Sequence, residues 1–459
     1  VKFGRIRKLH LVGIGGEGVS GIAEVLLNMG YEVSGSDLRR TGVTRRLEAL
    51  GGRIAEGHSA SNLGDAQVVV VSSAIRPDNP EVREAKRRGI PVIPRAEMLA
   101  ELMRIKFGIA VGGAHGKTTT TWLVAQVLAE GNLDPTIVVG GKLKGMDTNA
   151  KLGRGDYLVA EADESDGSFL KLTPTIAVVT TVDEEHLDHY ADLDEIQETF
   201  AQFLNKVPFY GAGVVCLDDE NIQALMPRLE KRVITYGLKA LADFTASNVR
   251  QEGLCTRMTV SHRGSPLGTL ALQVPGLHNV HNALAAMAVG CELEIEFETI
   301  RTALEEFRGI ARRFEVKGEV GGVLVVDDYA HHPTEIEVTL RAAREVWGRR
   351  IVAVFQPHRY SRTAALWRAF GRCFYEADIL AVTSIYPAGE DPIPGVGAER
   401  IVEAAGQHGH RGVTYHEDSR DLVDHLVHLV QPGDVVITLG AGDIWKVGDQ
   451  LLGRLGHGS

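Results

Sequence analysis

The sequence predicts an α/β chain of three domains, with doubly wound parallel sheets at the N- and C-termini flanking a central P-loop-type domain. Three observations lead there. The chain has 459 residues, 44% of them apolar and 24% charged; that is too long for one hydrophobic core and suits about three. Two glycine-rich turns, Gly13–Gly18 and Gly112–Gly116, each follow an apolar run and open a helical pattern. The alternation of strand and helix patterns then restarts from about Arg313. The expected domains are residues 1–105, 106–312 and 313–459.

In the first segment, KLHLV is a short apolar strand leading into Gly13-x-Gly15-x-x-Gly18. Val19, Ile22, Ala23, Leu26 and Leu27 give the period of a helix. A second strand, YEVSGSD, ends in Asp37, nineteen residues past Gly18. This is the dinucleotide fingerprint in its full strand-turn-helix-strand context. The glycines let the backbone approach a pyrophosphate at a helix N-terminus, and the acid suits a ribose. The alternative is a tight turn with no ligand. AQVVVVSSAI and IPVI follow as strands around the helix NPEVREAKRRG, completing a small doubly wound unit.

The second turn is shorter than the standard phosphate loop. Gly112 is followed by only Gly113, Ala114 and His115 before Gly116, Lys117 and Thr118. GIAVGGAH still reads as strand then turn, and GKTTTTWLVAQVLAEG as an amphipathic helix. That context suits a triphosphate: Lys117 meets the β- and γ-phosphates, and the Thr118 hydroxyl meets Mg²⁺. The central domain is therefore expected to be a P-loop-type ATPase domain. YLVAE ends at Glu161, with Asp163, Glu164 and Asp166 beyond it, and TIAVVTTVDEEHLDHY runs into Asp183, Glu184, Glu185, His186 and Asp188. Carboxylates at strand ends are where a phosphate-bound cation is held. His186 by itself reads as a surface or helix-start residue, since Mg²⁺ prefers oxygen.

Past Arg313, GVLVVDDYAHHPTEIEVTLRAAREV is strand, loop and helix. RRIVAVFQPHRYSRT is strand and loop, followed by a helix over AALWRAFGRCFYEA. DILAVTSIYPAGE and DVVITLGAGDIW are further strands. DDYAHHP and QPHRYSRT stand at strand ends, where ligands of such sheets bind. Arg359 and Arg362 there offer planar, bidentate donors to a carboxylate, or else pair with nearby surface acids.

Charge and composition exclude several classes. A formal net charge of −11 argues against a nucleic-acid partner. No apolar run approaches the ~18 residues of a membrane span, so no membrane partner is expected. The opening VKFGRIRKLHLVGIGG enters a strand directly, without the apolar core and cleavage site of a signal peptide. Cys216, Cys255, Cys291 and Cys373 form no metal or disulfide spacing. The expected setting is a reducing cytoplasm.

GGAHGKTTT resembles the compact loop of the Mur ligases, the amide-forming enzymes of peptidoglycan precursor synthesis. EADESDGSF, DEEHLDHY, PGLHNVHNALAA, ARRFE, DDYAHHPTEI and QPHRYSRT occur in the order that family uses. The resemblance covers essentially the whole chain. Val19 stands where methionine is expected, and Ala114 where threonine is usual.

The resemblance implies an ATP-dependent ligase joining L-alanine to the carboxylate of UDP-N-acetylmuramate through an acyl phosphate, with Mg²⁺ as the metal. Lys117, Glu161, His186 and His358 are the implied catalytic residues. Gly15, Gly16, Gly18, Val19, Ser20, Asp37, His58, Ser72 and Ser73 would hold the UDP-sugar. Gly113, His115, Gly116, Lys117, Thr118, Thr119, Asn279, Arg313 and Asp328 would hold ATP. Thr118, Glu161 and His186 are the implied metal ligands. Tyr329, His331, His358, Arg359 and Arg362 would receive the amino acid. A monomer or a homodimer is expected.

Without that resemblance, PGLHNVHNALAA is a helix start capped by Asn279 or Asn282, and ARRFE a solvated basic pair. Three rival functions stand beside the ligase. A nicotinamide oxidoreductase leaves the Gly-Lys-Thr loop without a role. A non-catalytic UDP-sugar sensor is opposed by the intact Lys117, Glu161 and His186. The alternative within the class is a ligase that recycles whole peptides onto the same sugar nucleotide.

Overall fold

The apolar, β-branched runs pair into three sheets. The computed structural model describes residues 3–72, 74–140, 150–165, 167–184, 189–239 and 241–457. The chain divides into two compact units. The first comprises Val1–Val249, Met258–Ala271 and Asn279–Phe307; the second comprises Arg250–Arg257, Leu272–His278 and Arg308–Ser459.

The first sheet contains β1 (Lys8–Val12), β2 (Glu32–Asp37), β3 (Arg53–Glu56), β4 (Val68–Val71) and β5 (Val92–Pro94). The order is β3-β2-β1-β4-β5, and every pairing is parallel. The chain winds outward from β1 to β3, then returns to β4 on the other side of β1. Its helices are α1 (Glu17–Asn28), α2 (Gly42–Ala49), α3 (Pro80–Arg87) and α4 (Arg95–Arg104). α3 starts where it does because Asn79 accepts from the N–H groups of Glu81 and Val82, with proline at the first helical position.

A polar pin lies inside this sheet. Glu81 and His10 have fully buried side chains. The Glu81 carboxylate accepts from Ser36 Oγ (2.6 Å), Asn62 Nδ2 (2.6 Å) and Ser59 N (3.2 Å), and His58 Nδ1 stands 3.4 Å away. Burial alone would push its pKa up, but His10 Nε2 3.6 Å away and the hydrogen bonds from Ser36 and Asn62 outweigh it and hold it at about 2. Glu81→Ala leaves those donors unanswered and is expected to cost about 3–5 kcal/mol. The stability that Glu81 contributes is complete above the ordinary value of 4.5 and is lost as pH falls towards about 2. Denaturant titrations of both proteins should therefore converge in that acid range; a gap that persists unchanged there contradicts the pin.

The second sheet runs β15-β14-β13-β12-β11-β10-β6-β9-β7-β8. Its strands are β6 (Phe107–Gly112), β7 (Thr136–Val138), β8 (Ala150–Lys151), β9 (Tyr157–Glu161), β10 (Ile176–Val179), β11 (Ala212–Cys216), β12 (Val233–Gly237), β13 (Phe244–Glu252), β14 (Cys255–His262) and β15 (Ser265–Leu272). The run from β12 through β10, β6 and β9 to β7 is parallel. β10 ends at Val179, before the acids that its pattern was expected to reach. α5 (Lys117–Glu130) is not the amphipathic helix expected: Thr120 and Thr121 are as buried as Leu123 and Val127. Thr120 Oγ1 donates to Asn282 Oδ1 and Thr121 Oγ1 to Lys117 O, so the threonine face is internal and hydrogen-bonded.

The second unit holds the third sheet, with strands β16 (Glu315–Val320), β17 (Val323–Asp328), β18 (Ile351–Phe355), β19 (Ile379–Thr383), β20 (Val413–His416) and β21 (Val435–Leu439). The order is β16-β17-β21-β18-β19-β20, parallel except for the antiparallel edge strand β16. Leu340, Phe370 and Ile401 pack on one face, and Leu422, Leu426, Val447 and Leu451 on the other. Helices thus cover both faces of the sheet, as a doubly wound fold requires. Among the described residues, no helix is long and apolar enough to cross a membrane.

Candidate active site

The carboxyl ends of β1, β2 and β4 meet where the strand order reverses, the usual ligand position in an open parallel sheet. Gly13 leaves β1 with φ +76°, and its N–H donates to Ser36 O at 2.9 Å. Gly15 N–H donates to Asp37 Oδ2 at 2.8 Å. A Cβ on Gly15 would lie 2.9 Å from that carboxylate, so a side chain there would push Asp37 out of its hydrogen bond. Gly16 begins α1, and no side chain caps it. Ser72 follows β4 and stands against Gly13. His58 follows β3, its Nδ1 within 2.9 Å of Ser36 Oγ. Val19 and Ser20 are buried beneath the turn, Val19 as part of the core. Ser73 lies outside the described residues.

The second turn is built on the same plan. β6 lies between β9 and β10, so its carboxyl end is flanked by Glu161 on one side and Thr180–Thr181 on the other. Gly113 takes φ +128°, and a Cβ there would strike the Thr180 hydroxyl. Gly116 takes φ +80° and opens α5. The backbone N–H groups of Ala114 and His115 donate to Thr181 O and Thr181 Oγ1, both at 2.9 Å. Lys117 Nζ is held by Gly113 O (2.6 Å), Ala114 O (3.1 Å) and Glu164 Oε1 (2.8 Å). Thr118 Oγ1 donates to Glu161 Oε2 at 3.0 Å, with Gly140 N on the same oxygen. A hydroxyl and a carboxylate oxygen this close are a fitting pair of donors for a hard cation such as Mg²⁺. His115 Nε2 stands 3.0 Å from Asp183 Oδ2. Thr119 is half-buried on the first turn of α5. His186 lies outside the described residues.

Asn279 and Asn282 do not cap a helix. Both lie inside the helix Leu277–Glu292 and are buried, and Asn282 Nδ2 donates to Asn279 Oδ1 at 3.2 Å. Asn282 Oδ1 accepts from Thr120, tying this helix to α5.

In the second unit, Asp328 ends β17 and is buried. It accepts from the N–H groups of Phe314 and Ala330, each at 2.7 Å. Burial pushes its pKa up to about 6, against the pull of Arg313 and those amides. The Arg312–Arg313 pair is not a solvated one. Arg312 donates to Asp327 Oδ2 (3.1 Å) and Gly440 O (2.7 Å), and both guanidiniums stack on Tyr329. His331 Nδ1 donates to Tyr329 O at 3.0 Å; burial lowers its pKa to about 3. His358 packs on Tyr386, and burial together with Arg362 and Arg359 lowers it to about 4. Arg359 is the N-cap of the helix Tyr360–Phe370, with φ +72° and a carboxylate partner, Glu390, at 3.8 Å. That helix starts inside HRYSRT, earlier than expected, so Arg362 sits on its first turn. Arg362 Nη1 lies 3.4 Å from His358 Nδ1.

The structure thus gathers Lys117, Thr118, Glu161, Gly113, His115 and Gly116 at the carboxyl end of one sheet, and Gly15, Gly16, Asp37, His58 and Ser72 at the carboxyl end of another. Tyr329, His331, His358, Arg359 and Arg362 gather in the second unit, which also contains Arg313 and Asp328. Sequence reading missed Glu164 as the partner of Lys117, and missed Arg95, which pairs with Asp163. The acidic run was visible; nothing local tells which acid meets which base.

Three family models match the chain in succession: "Mur ligase family, catalytic domain" over residues 8–107, "Mur ligase middle domain" over 111–290, and "Mur ligase, glutamate ligase domain" over 312–442. The UDP-N-acetylmuramate–L-alanine ligase of Geotalea uraniireducens is 59% identical over 453 residues, 99% of each chain. That of Geobacter sulfurreducens is 58% identical over 455 residues, 99% of this chain and 98% of the other. Among solved structures, UDP-N-acetylmuramate-alanine ligase from Thermotoga maritima is similar at TM-score 0.83 and 31% identity, covering 98% of this chain and 100% of that one. A murein peptide ligase from Psychrobacter arcticus is similar at TM-score 0.73 and 25% identity, covering 98% of both chains.

Proposed function

Since the chain belongs to the Mur ligase family, we propose that it joins L-alanine to the carboxylate of UDP-N-acetylmuramate, converting ATP to ADP and phosphate. The observation that carries the reading is the compact loop, with Lys117 and the Thr118–Glu161 oxygen pair converging at the end of β6. The choice of alanine over a whole peptide rests on full-length identity of 58–59% to alanine ligases, against 25% to the peptide ligase.

Residues 1–105 hold the sugar nucleotide, 106–312 hold ATP, and 313–459 receive the amino acid. The sugar carboxylate attacks the γ-phosphorus, ADP leaves, and the alanine amine attacks the acyl phosphate to release phosphate. Lys117 follows the charge on the transferring phosphoryl group, which is how phosphoryl transfer is promoted when positioning and electrostatics do the catalysis. Thr118 and Glu161 would hold Mg²⁺, with His186 joining them as the family resemblance implies, and the ion would supply neutralisation of phosphate charge. Arg359 and Arg362 take the alanine carboxylate. Burial, Arg362 and Arg359 lower His358 to about 4 in the ligand-free site, where it is neutral. Its role is to orient. The reaction needs ATP and therefore belongs in the cytoplasm.

The deciding experiment is phosphate release from ATP with UDP-N-acetylmuramate, adding amino acids and peptides singly. L-alanine should give the fastest release; release with a peptide alone points to the recycling ligase. Glu161→Gln keeps shape but loses charge, and should raise the Mg²⁺ needed for half-maximal rate roughly tenfold. An unchanged magnesium titration would remove Glu161 from the metal site.

A further inference from the structure

α4 begins at Arg95, and its guanidinium lies across the first turn of α1. A Cβ built on Gly18 would stand 3.0 Å from Arg95 Cζ and 3.3 Å from Cδ, and closer still to Nη1. A side chain at 18 would therefore have to displace the guanidinium from its place over this turn. Arg95 Nη2 donates to Asp163 Oδ2 in an ion pair. The two side chains remain 24% and 40% exposed, so a ligand can reach them. Asp163 stands between Glu161 and Glu164, the carboxylates that hold Thr118 and Lys117. One cation thus touches the turn offered to the sugar nucleotide and the acidic segment beside the phosphate loop.

We propose that Arg95 exchanges Asp163 for the diphosphate of the sugar nucleotide, so that filling the glycine turn changes the contacts of the segment holding Lys117 and Thr118. This rests on the reading of that turn as the sugar-nucleotide site. A helix N-terminus and a planar guanidinium together make an anion site. With no anion present, Asp163 supplies the negative charge. A diphosphate brings more charge and two acceptors to the same fork, and so displaces a single, part-exposed carboxylate. The two ligands are then coupled, and the coupling is reciprocal.

The two single variants should move UDP affinity in opposite directions. Arg95→Ala should weaken UDP binding in calorimetry by about tenfold or more. Asp163→Asn removes the competitor and should tighten it by about threefold. In the Arg95→Ala background, Asp163→Asn should do nothing further. Uridine, which lacks phosphate, should bind all four proteins alike. A purely structural pair predicts something else: both variants weaken UDP and uridine together, or neither changes them. Either result overturns the exchange, as does tightening by Asp163→Asn that persists without Arg95. Should Arg95→Ala fail to fold, Arg95→Lys and Asp163→Asn still give the opposed signs. Gly15→Val tests the underlying site separately, because its side chain meets Asp37. If it leaves UDP binding unchanged, the glycine turn is not the site. If it blocks UDP while Arg95→Ala has no effect, the turn stands and the exchange falls.

Discussion

Lys117→Ala is expected to lower kcat by roughly 10²–10³-fold or more. UDP-N-acetylmuramate should still bind within about twofold, since the variant removes nothing from the first glycine turn and leaves the Arg95–Asp163 pair in place. The lysine amine is held by Gly113 O, Ala114 O and Glu164, at the start of the helix that would face the triphosphate in the proposed reaction. In the proposed reading the sugar nucleotide lies at its own glycine turn, where α1 begins without a side-chain cap. The variant also takes the lysine ion pair from Glu164, which is 3% exposed. Lys117→Ala alone should therefore melt earlier than wild type. Adding Glu164→Gln should recover the melting temperature while leaving turnover absent. Calorimetry separates the outcomes: if a folded Lys117→Ala loses both ATP and sugar-nucleotide binding, the chain does not have two separate phosphate sites.

Both glycine turns were legible in the sequence because their signals are local. An apolar strand, glycines that need positive φ, and a helical period all fall within about twenty residues. Gly13 and Gly116 take that positive φ, and Gly15 sits where a side chain would strike Asp37. Glu161 was legible for the same reason, as the last residue of an apolar strand. What was not legible depends on pairs distant in sequence. Arg95 and Asp163 are 68 residues apart, as are His115 and Asp183. No period or spacing specifies such pairs. The start of the helix at Tyr360 was hidden for a different reason. Its N-cap is an arginine in a left-handed conformation, where Ser, Thr, Asp or Asn is the ordinary signal. The burial of the threonine face of α5 was also hidden, because Thr120 finds its acceptor on Asn282 across 162 residues.

The conformation of Arg359 leads to the last expected result. Replacing Arg359 or Arg362 with lysine keeps the charge but removes the planar fork. In the proposed reaction the pair grips the alanine carboxylate and so fixes where the amine points. Losing a charge-assisted hydrogen bond of about 1.5–3 kcal/mol corresponds to roughly 10- to 150-fold in kcat/KM for alanine. KM for ATP should hardly change, since neither arginine is in the phosphate loop. The first half-reaction should survive, so acyl phosphate should form and hydrolyse slowly or be trapped by hydroxylamine. Arg359 permits a sharper test. It sits at φ +72° and ψ 141°, a region that disfavours side chains and costs about 1–3 kcal/mol. Its guanidinium is 46% exposed, and its acid partner Glu390 stands 3.8 Å away. Such a contact stabilises little, so the strain is not offset there. Arg359→Gly should therefore melt no earlier than wild type while losing alanine specificity as severely as the lysine variant. A surface arginine with only a structural role makes the reverse forecast: normal alanine kinetics in Arg359→Lys and Arg362→Lys. That outcome would remove the clamp, and with it the basis for placing the amino acid at this end of the sheet.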